Sequence, residues 1–448
     1  ICKEVLLMPL FPEHKTAGDT SWFIHDRFGM FIHFGLYALP ARHEWVKTNE
    51  FISEEKYQKY FDHFDPDLFD AHEWAKKAKA AGMKYAVLTT KHHEGFCLFD
   101  SKHTDYKITN TPFGRDLVKE YADAFRAEGL HVGFYYSLID WHHPEFPIDS
   151  LHPRRNDPNA EELDKGRDVH KYAAYMRDQL TELLTNYGKI DILWLDFSYT
   201  HPNPASVKPW MQHGGGKGKN EWESEKLISL VRSLQPEIII DNRADLEQDL
   251  WTPEQYQVLD WPKHPKTGER VTWEACQTFS GSWGYHRDEK SWKSPRMLIE
   301  MLINTVCIGG NLLMNVGPTS RGNFDKRADA ALAVYGEWMH VNGRSIYGCT
   351  MADPEFPVPR GCRFTQSADG KRLYVHLMEY PYAFLEMRGF AGKVDYAQFL
   401  HDGSEIKFTE KSSTHFSECR TEADDLLVLE LPVPAPDVTV PVIELFLK

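Results

Sequence analysis

The segment 191–199, DILWLDFSY, places one carboxylate, Asp196, at the end of a nearly continuous apolar run. Such a run is typical of a parallel strand that is buried on both faces, and the carboxyl ends of parallel strands are where α/β enzymes bind their substrates. An aspartate after a strand can instead cap a turn or the next helix. Asp196 is therefore a candidate nucleophile or base, with capping as the alternative.

Four further apolar runs also end in polar and aromatic side chains. These are His33 with His43, Glu44 and Trp45 after it; Lys91, His92 and His93; Tyr135, Tyr136 and Trp141; and Asn242 with Arg243. If the runs are strands of one barrel, their ends converge on one face. Imidazoles, indoles, phenols and a guanidinium together offer mixed donors and acceptors. The set predicts a pocket for a polar ligand such as a sugar.

A metal site is the rival interpretation of the same residues. Adjacent residues of an ideal strand point to opposite faces, which argues against one metal shared by His92 and His93. No set of four ligands has the spacing of a structural zinc site. We expect no metal and no organic cofactor. A metal-dependent hydrolase or deacetylase that uses both histidines and Asp196 remains one alternative function, and an inactive carbohydrate-binding protein is another.

Hydrolysis of a glycoside would require a second carboxyl group. Glu254, in LWTPEQY, follows a predicted strand, although Thr252 before it could equally cap a helix. Glu274 lies within another predicted strand, and Asp260 lies between the two. We favour Glu254 as the acid and base, and the other two remain open.

Apolar runs alternate with helical periodicity through about three quarters of the chain. The predicted strands are 28–36, 85–90, 132–137, 190–197, 238–241, 272–279 and 312–316, and the predicted helices include 70–81, 115–128, 169–187 and 223–234. This alternation predicts an α/β fold with a parallel sheet and crossover helices. Seven strands favour a (β/α)8-like TIM barrel with one strand missed or degenerate.

The pattern changes near residue 348. Short alternating runs at 362–366, 372–377, 384–387, 394–400, 426–431 and 438–447 follow, with no long helix between them. They predict a C-terminal antiparallel β-sandwich. We therefore divide the chain into a catalytic barrel domain, 1–347, and a sandwich domain, 348–448. The glycine-rich segment 202–220 is predicted to be a mobile loop over the site.

Composition excludes some classes of partner. The net charge of −15 argues against nucleic acid or an anionic membrane surface, since both favour clustered Lys and Arg. Seven scattered cysteines indicate a reduced compartment without a disulfide framework. No signal peptide is visible at the start, so we expect a cytoplasmic protein. A homo-oligomer is compatible with a chain of this size.

Six ordered blocks together resemble the α-L-fucosidases of glycoside hydrolase family 29. They are RFGMFIHFGLYALPARHEWV, KYAVLTTKHHEGFCLFDSKHTDY, GFYYSLIDWHHP, DILWLDFSY, WEACQTFSGSWGY and GGNLLMNVGPTSRG. The blocks span about residues 22–322, and the closing PVIELFLK is similar to the end of the family's C-terminal sandwich. The resemblance implies a retaining exo-α-L-fucosidase that releases terminal fucose from glycans.

The resemblance also implies roles for single residues. Asp196 matches the nucleophile, while the acid and base, here Glu254, lies where the resemblance is weakest because the segment 254–274 has a remodelled loop. The residues that match positions binding fucose or lining its pocket are His33, Glu44, Trp45, His92, His93, Tyr136, Trp194, Arg243 and Trp283. Strand alternation alone leaves open whether Tyr135 or Tyr136 faces the pocket.

Overall fold

The computed structural model describes residues 8–410 and 425–448. In this part of the chain, seven parallel strands form the larger sheet: β1 (Phe28–Ile32), β2 (Tyr85–Lys91), β3 (His131–Ser137), β4 (Ile192–Asp196), β5 (Ile239–Ile240), β6 (Glu274–Thr278) and β7 (Asn311–Val316). Their order is β5-β4-β3-β2-β1-β7-β6. The strands are buried along nearly their whole length, which explains their continuous apolar runs.

Helices surround this sheet, and Phe23 of the first helix packs among the inward-facing side chains. They are α1 (Ser21–Asp26), α2 (Val46–Asn49), α3 (Glu54–Asp62), α4 (Ala71–Ala80), α5 (Leu117–Ala127), α6 (Ala160–Asp164), α7 (Val169–Asn186), α8 (Ser224–Leu234), α9 (Pro295–Val306) and α10 (Lys326–Asn342). Helix α5 shows how the sequence sets them: Asp116 caps its first turn by accepting the backbone N–H of Lys119, 2.9 Å away. Leu117, Tyr121 and Phe125 then bury one face against the sheet.

An irregular segment, residues 250–255, joins the two edges of the sheet. On one side, the N–H of Leu250 donates to Ile240 O of β5 (3.1 Å), and the N–H of Asn242, just after β5, donates to Leu250 O (3.0 Å). On the other side, the N–H of Gln255 donates to Cys276 O of β6 (3.0 Å). Both contacts are parallel bridges. This segment is the degenerate eighth strand, so the predicted (β/α)8-like barrel is confirmed.

The C-terminal part is antiparallel. Its strands are β8 (Cys349–Met351), β9 (Cys362–Ser367), β10 (Arg372–Leu377), β11 (Phe384–Arg388), β12 (Val394–Phe399), β13 (Phe408–Glu410), β14 (Leu426–Glu430) and β15 (Val442–Leu447). They form one sheet in the order β12-β15-β10-β9-β8 and another in the order β11-β14-β13. Val375, Met387 and Leu427 belong to the apolar core between them. The predicted sandwich is thus confirmed, while the domain border at 347 and 348 stays a prediction.

The barrel and the C-terminal sheets are held together by buried contacts. Arg27, fully buried after α1, donates to the carbonyls of Cys349 (2.8 Å) and Gly309 (2.7 Å). Tyr374 and Val442 of the C-terminal sheets pack into the core of the barrel. The C-terminal part contacts the barrel on the sides of α9 and α10.

The loop predicted to lie over the site, 202–220, has a fixed base. Tyr199 and Lys217 pair as an antiparallel bridge, and both side chains bind the buried carboxylate of Asp149. In the described residues no helix has the length and apolar character needed to cross a bilayer. Residues 1–7, on which the expectation of a missing signal peptide partly rests, lie outside the described residues.

Candidate active site

Asp196 ends β4 with its carboxylate held on both oxygens. Tyr135 Oη donates to Oδ2 (2.7 Å) and Arg243 Nη1 donates to Oδ1 (3.0 Å). The residue is only 8% exposed. The next residue, Phe197, has a positive φ of 87°, an uncommon conformation for a residue with a side chain. This bend ends the strand and turns the Phe197 ring onto His93, with ring centres 5.3 Å apart.

Arg243, which follows β5, is shared by two carboxylates. Its Nη1 donates both to Asp196 and to Glu254 Oε2 (2.7 Å), while Nε donates to Thr252 Oγ1 (2.8 Å). Its guanidinium also lies 4.4 Å from the centre of the Trp194 ring. Burial disfavours the charge, but the neighbouring carboxylates outweigh it, so the pKa of Arg243 is raised further above its ordinary value. Arg243 is therefore a fixed cation in this pocket.

The shared nitrogen limits the distance between the two carboxyl groups. Asp196 Oδ1 and Glu254 Oε2 cannot lie further apart than the two hydrogen bonds end to end, 3.0 Å and 2.7 Å. Inverting glycosidases separate their carboxyl groups by about 6.5–9.5 Å, and retaining enzymes by about 5–5.5 Å. The spacing here matches the retaining class.

Histidines form the opposite wall. His33 Nδ1 bonds Asn315 Oδ1 (2.6 Å), and His93 Nδ1 bonds Ser137 Oγ (2.7 Å). Because Ser137 donates its own proton to the carbonyl of Ile139, the His93 nitrogen must donate to it. Burial holds the pKa of both imidazoles well below the ordinary value. Neutral rings protonated on Nδ1 leave Nε2 as an acceptor for a ligand hydroxyl.

Glu44 adds a buried acceptor to the pocket wall. Its Oε2 accepts the backbone N–H groups of Trp283 (3.1 Å) and Gly284 (2.8 Å). Its Oε1 is buried and, among the described residues, accepts no hydrogen bond. His43 Nδ1 lies 3.3 Å from it but already accepts the N–H of Trp45, so it has no proton to donate. An unsatisfied buried oxygen in a pocket wall suits a ligand donor.

The structure brings most of the predicted residues into one pocket. Those that line it are His33, Glu44, Trp45, His92, His93, Trp194, Asp196, Arg243, Glu254 and Trp283. Sequence reasoning did not assign Phe31, Phe197 and Cys276, which also line it. Their apolar side chains gave no chemical signal. The alternation of side chains along β1 and β6 could have shown that Phe31 and Cys276 face inward.

Tyr136 is the exception, and its predicted place in the pocket is wrong. Its hydroxyl donates to Gln179 Oε1 of α7 (2.8 Å), on the outer face of the sheet. Tyr135 takes the pocket position instead. The register explains this, because Tyr135 pairs with the inward-facing Trp194 whereas Tyr136 pairs with Leu195.

Comparison with known proteins agrees with this site. The model of the family described as alpha-L-fucosidase matches residues 12–344. The chain belongs to the alpha-L-fucosidase family. An alpha-L-fucosidase of Dictyostelium discoideum is 30% identical over 369 residues, which are 76% of this chain and 74% of that protein.

Solved alpha-L-fucosidases share the whole architecture. Isoenzyme 1 from Paenibacillus thiaminolyticus is 44% identical, with a TM-score of 0.85 over 96% of this chain and 98% of its own. A family 29 enzyme from Bacteroides thetaiotaomicron is 26% identical, with a TM-score of 0.79 over 98% of both chains. That enzyme was trapped as a covalent intermediate with 2-fluoro-fucosyl fluoride in a glutamate-to-glutamine variant.

The alternatives to Glu254 do not line the pocket of this fucosidase-family chain. Glu274 is fully buried inside the barrel, where it accepts from Tyr85 Oη and Trp194 Nε1 (3.2 Å). Burial raises the pKa of Glu274 to about 7. Asp260 lies on an exposed loop. Glu254, with its side chain 42% exposed, is the one of the three that lies both beside Asp196 and within reach of solvent.

The arrangement of ligand atoms does not favour the metal alternative. Among the described residues, His93 Nε2 lies 4.0 Å from Asp196 Oδ2, but His92, His93 and Asp196 do not form a set of three whose ligand atoms all lie within 4.8 Å of one another. The group that does, which sequence reasoning did not single out, is His14, Glu247 and His264, outside the pocket. His264 Nδ1 accepts backbone N–H groups, so its Nε2 carries the proton, which it donates to Glu247 rather than binding a metal.

Proposed function

We propose that this protein is a retaining exo-α-L-fucosidase in which Asp196 is the nucleophile and Glu254 the acid and base. The observation that carries the proposal is the shared guanidinium of Arg243, which keeps the two carboxyl groups at the short spacing of a double displacement. Family membership and the trapped intermediate of the Bacteroides relative support the same chemistry.

The first step forms a fucosyl ester. Asp196 attacks the anomeric carbon while Glu254 gives a proton to the leaving oxygen, so that one C–O bond forms and one breaks. Glu254 accepts from Arg243 through Oε2, so the proton is carried on Oε1, which the exposed side chain can present to the leaving oxygen while the contact with Arg243 is kept. In the second step Glu254 takes a proton from water, and the water oxygen displaces Asp196 and releases fucose.

The pocket wall supports a small neutral sugar as the bound unit. Neutral His33 and His93 and the buried Oε1 of Glu44 accept hydrogen bonds from ring hydroxyls. Phe31 and Trp283, whose rings lie 5.9 Å apart, offer an apolar surface for the methyl group of fucose. We therefore propose fucosylated oligosaccharides as substrates. A cytoplasmic location and a homo-oligomeric state stay predictions, to be tested by fractionation and sedimentation.

Turnover of a nitrophenyl α-L-fucoside tests the activity directly. We expect release of nitrophenolate, and NMR should show that the sugar is first released as the α-anomer. Initial release of the β-anomer would refute the retaining mechanism. Full activity after exhaustive chelation is expected, whereas zinc-dependent recovery would support the metal-dependent alternative, and no turnover would leave a carbohydrate-binding protein.

The role of Glu254 is tested by changing the leaving group. A general acid matters most when the leaving group is poor. Glu254→Ala should therefore slow hydrolysis of a fucosyl oligosaccharide by about 10²–10⁴-fold and formation of the ester from an activated aryl fucoside far less. Glu225→Ala, at an exposed position of α8, is the control and should act like the wild type. Equal losses on both substrates would contradict the assignment.

A further inference from the structure

A groove of about 580 Å³ lies next to the catalytic pocket and shares Phe197 and Arg243 with it. Its lining also contains Thr252 and Pro253, the two residues before Glu254 in the chain. The groove therefore begins where the proposed acid is located. Nothing in the two catalytic steps requires it.

The position of the acid decides what the groove faces. A general acid must reach the oxygen that it protonates, which is the oxygen that joins fucose to the leaving group. With fucose in the pocket, the leaving group thus extends past Glu254 into the groove. We propose that this groove binds the leaving group and that it selects a neutral oligosaccharide of at least two sugars. This inference rests on the proposed function.

The side chains of the groove fit a sugar. Trp251 presents an indole whose N–H is buried and, in the described part of the protein, has no hydrogen-bond partner. The amide of Asn242 likewise makes no side-chain hydrogen bond within the described residues, although its backbone N–H is bonded. An apolar ring with a polar edge, beside the amide of Asn242, matches the apolar face and the hydroxyls of a pyranose.

Size and charge narrow the ligand further. The volume lies in the middle of the range of about 300–1,000 Å³ for ligand pockets and exceeds the needs of one sugar ring. Asp245 adds a carboxylate to the wall, and the cation of Arg243 is already paired with two carboxylates. An anionic sugar would be repelled here, so the groove favours neutral ones.

The outer rim is formed by the loop after Glu254. Val258 and Pro262 of this loop line the groove, and its Tyr256 and Leu259 are 58% and 85% exposed. Large apolar side chains that stay exposed beside a pocket often mark a surface that a ligand covers.

The test compares two substrates across three variants. We measure kcat/KM for fucosyllactose isomers and for nitrophenyl α-L-fucoside, and follow the ratio of the first to the second. Trp251→Phe keeps a ring and removes the N–H, and Asn242→Ala removes the amide. Each should lower the ratio about tenfold, the size expected for one lost hydrogen bond. Phe51→Ala, in a separate groove of about 530 Å³ that shares no lining with the pocket, is the matched control and should leave the ratio unchanged.

The outcomes separate the two proposals. A wild-type protein without activity on nitrophenyl fucoside would overturn the proposed function itself. Activity on nitrophenyl fucoside but on none of the fucosyllactose isomers would overturn only the groove. So would an unchanged ratio in Trp251→Phe and Asn242→Ala, or better turnover of a sialylated fucosyllactose than of its neutral parent.

Discussion

Glu274→Gln should make the protein more stable in neutral and alkaline solution and less dependent on pH. Glu274 is buried in the barrel, and burial raises the pKa of its carboxyl from 4.5 to about 7. A carboxyl with a raised pKa in the folded state holds its proton more tightly there than in the unfolded chain. Its contribution to stability is therefore complete below pH 4.5 and is lost as pH rises through 7.

The magnitude follows from the same two values. One pKa unit corresponds to about 1.4 kcal/mol, so the difference between 4.5 and about 7 removes about 3 kcal/mol from the free energy of unfolding across this range. Glutamine avoids the loss because it has no proton to release. Its amide nitrogen can donate to Tyr85 Oη, and its amide oxygen can accept from Trp194 Nε1 as the carboxylate does.

Urea denaturation at several pH values from 4.5 to 8 measures the effect. The free energy of unfolding of Glu274→Gln minus that of the wild type should rise by about 3 kcal/mol across the series. Glu55→Gln, at an exposed position of α3, is the control and should give a flat difference. A flat difference for Glu274→Gln as well would refute the argument, since it would mean that this carboxyl titrates alike in the folded and unfolded states.

Three further predictions concern the pocket and the loop beside it. Asp196→Gly should lower turnover by several orders of magnitude, and azide should restore part of it as a β-configured fucosyl azide detectable by NMR; retention of more than about a tenth of the activity would contradict the role. Tyr135→Phe should lower kcat/KM at least tenfold because the Tyr135 hydroxyl holds Asp196. Tyr136→Phe should instead lower the free energy of unfolding by about 1–3 kcal/mol, because its hydroxyl bonds Gln179 outside the pocket. The reverse result in kinetics and urea melts would mean that Tyr136 faces the pocket after all. Lys217→Met should lower the free energy of unfolding by about 3–5 kcal/mol in urea melts, because the buried charge of Asp149 loses its cation and keeps only hydrogen bonds such as that from Tyr199. A loss below about 1 kcal/mol would show that water reaches this pair.

The sequence predicts the repeating elements well because burial leaves a clear pattern. The strand ending at Asp196 and the helix at 169–187 are recognised by continuous apolar residues and by periodicity, and both occur at nearly the predicted bounds. The eighth strand escapes prediction because residues 250–255 are held by backbone hydrogen bonds rather than by an apolar pattern.

Side-chain direction is the part that the sequence leaves open. Tyr135 and Tyr136 are adjacent, equally buried and of the same type, so composition cannot separate them. Only the register against β4 decides which one faces Asp196. The partners of Glu274 are likewise far away in the chain, since Tyr85 lies 189 positions before it. Such contacts depend on how the barrel closes, which local patterns do not encode.

The degenerate eighth strand has a consequence for how this enzyme can diverge. Residues 250–255 fix the place of Glu254 through a few backbone hydrogen bonds, and the loop that follows carries the rim of the groove. Backbone bonds accept almost any side chain, so mutations and insertions after Glu254 can accumulate without unfolding the barrel. Selection, or a directed-evolution library confined to residues 256–260, which precede the buried Trp261, can therefore change the accepted glycan while the fucose pocket stays constant.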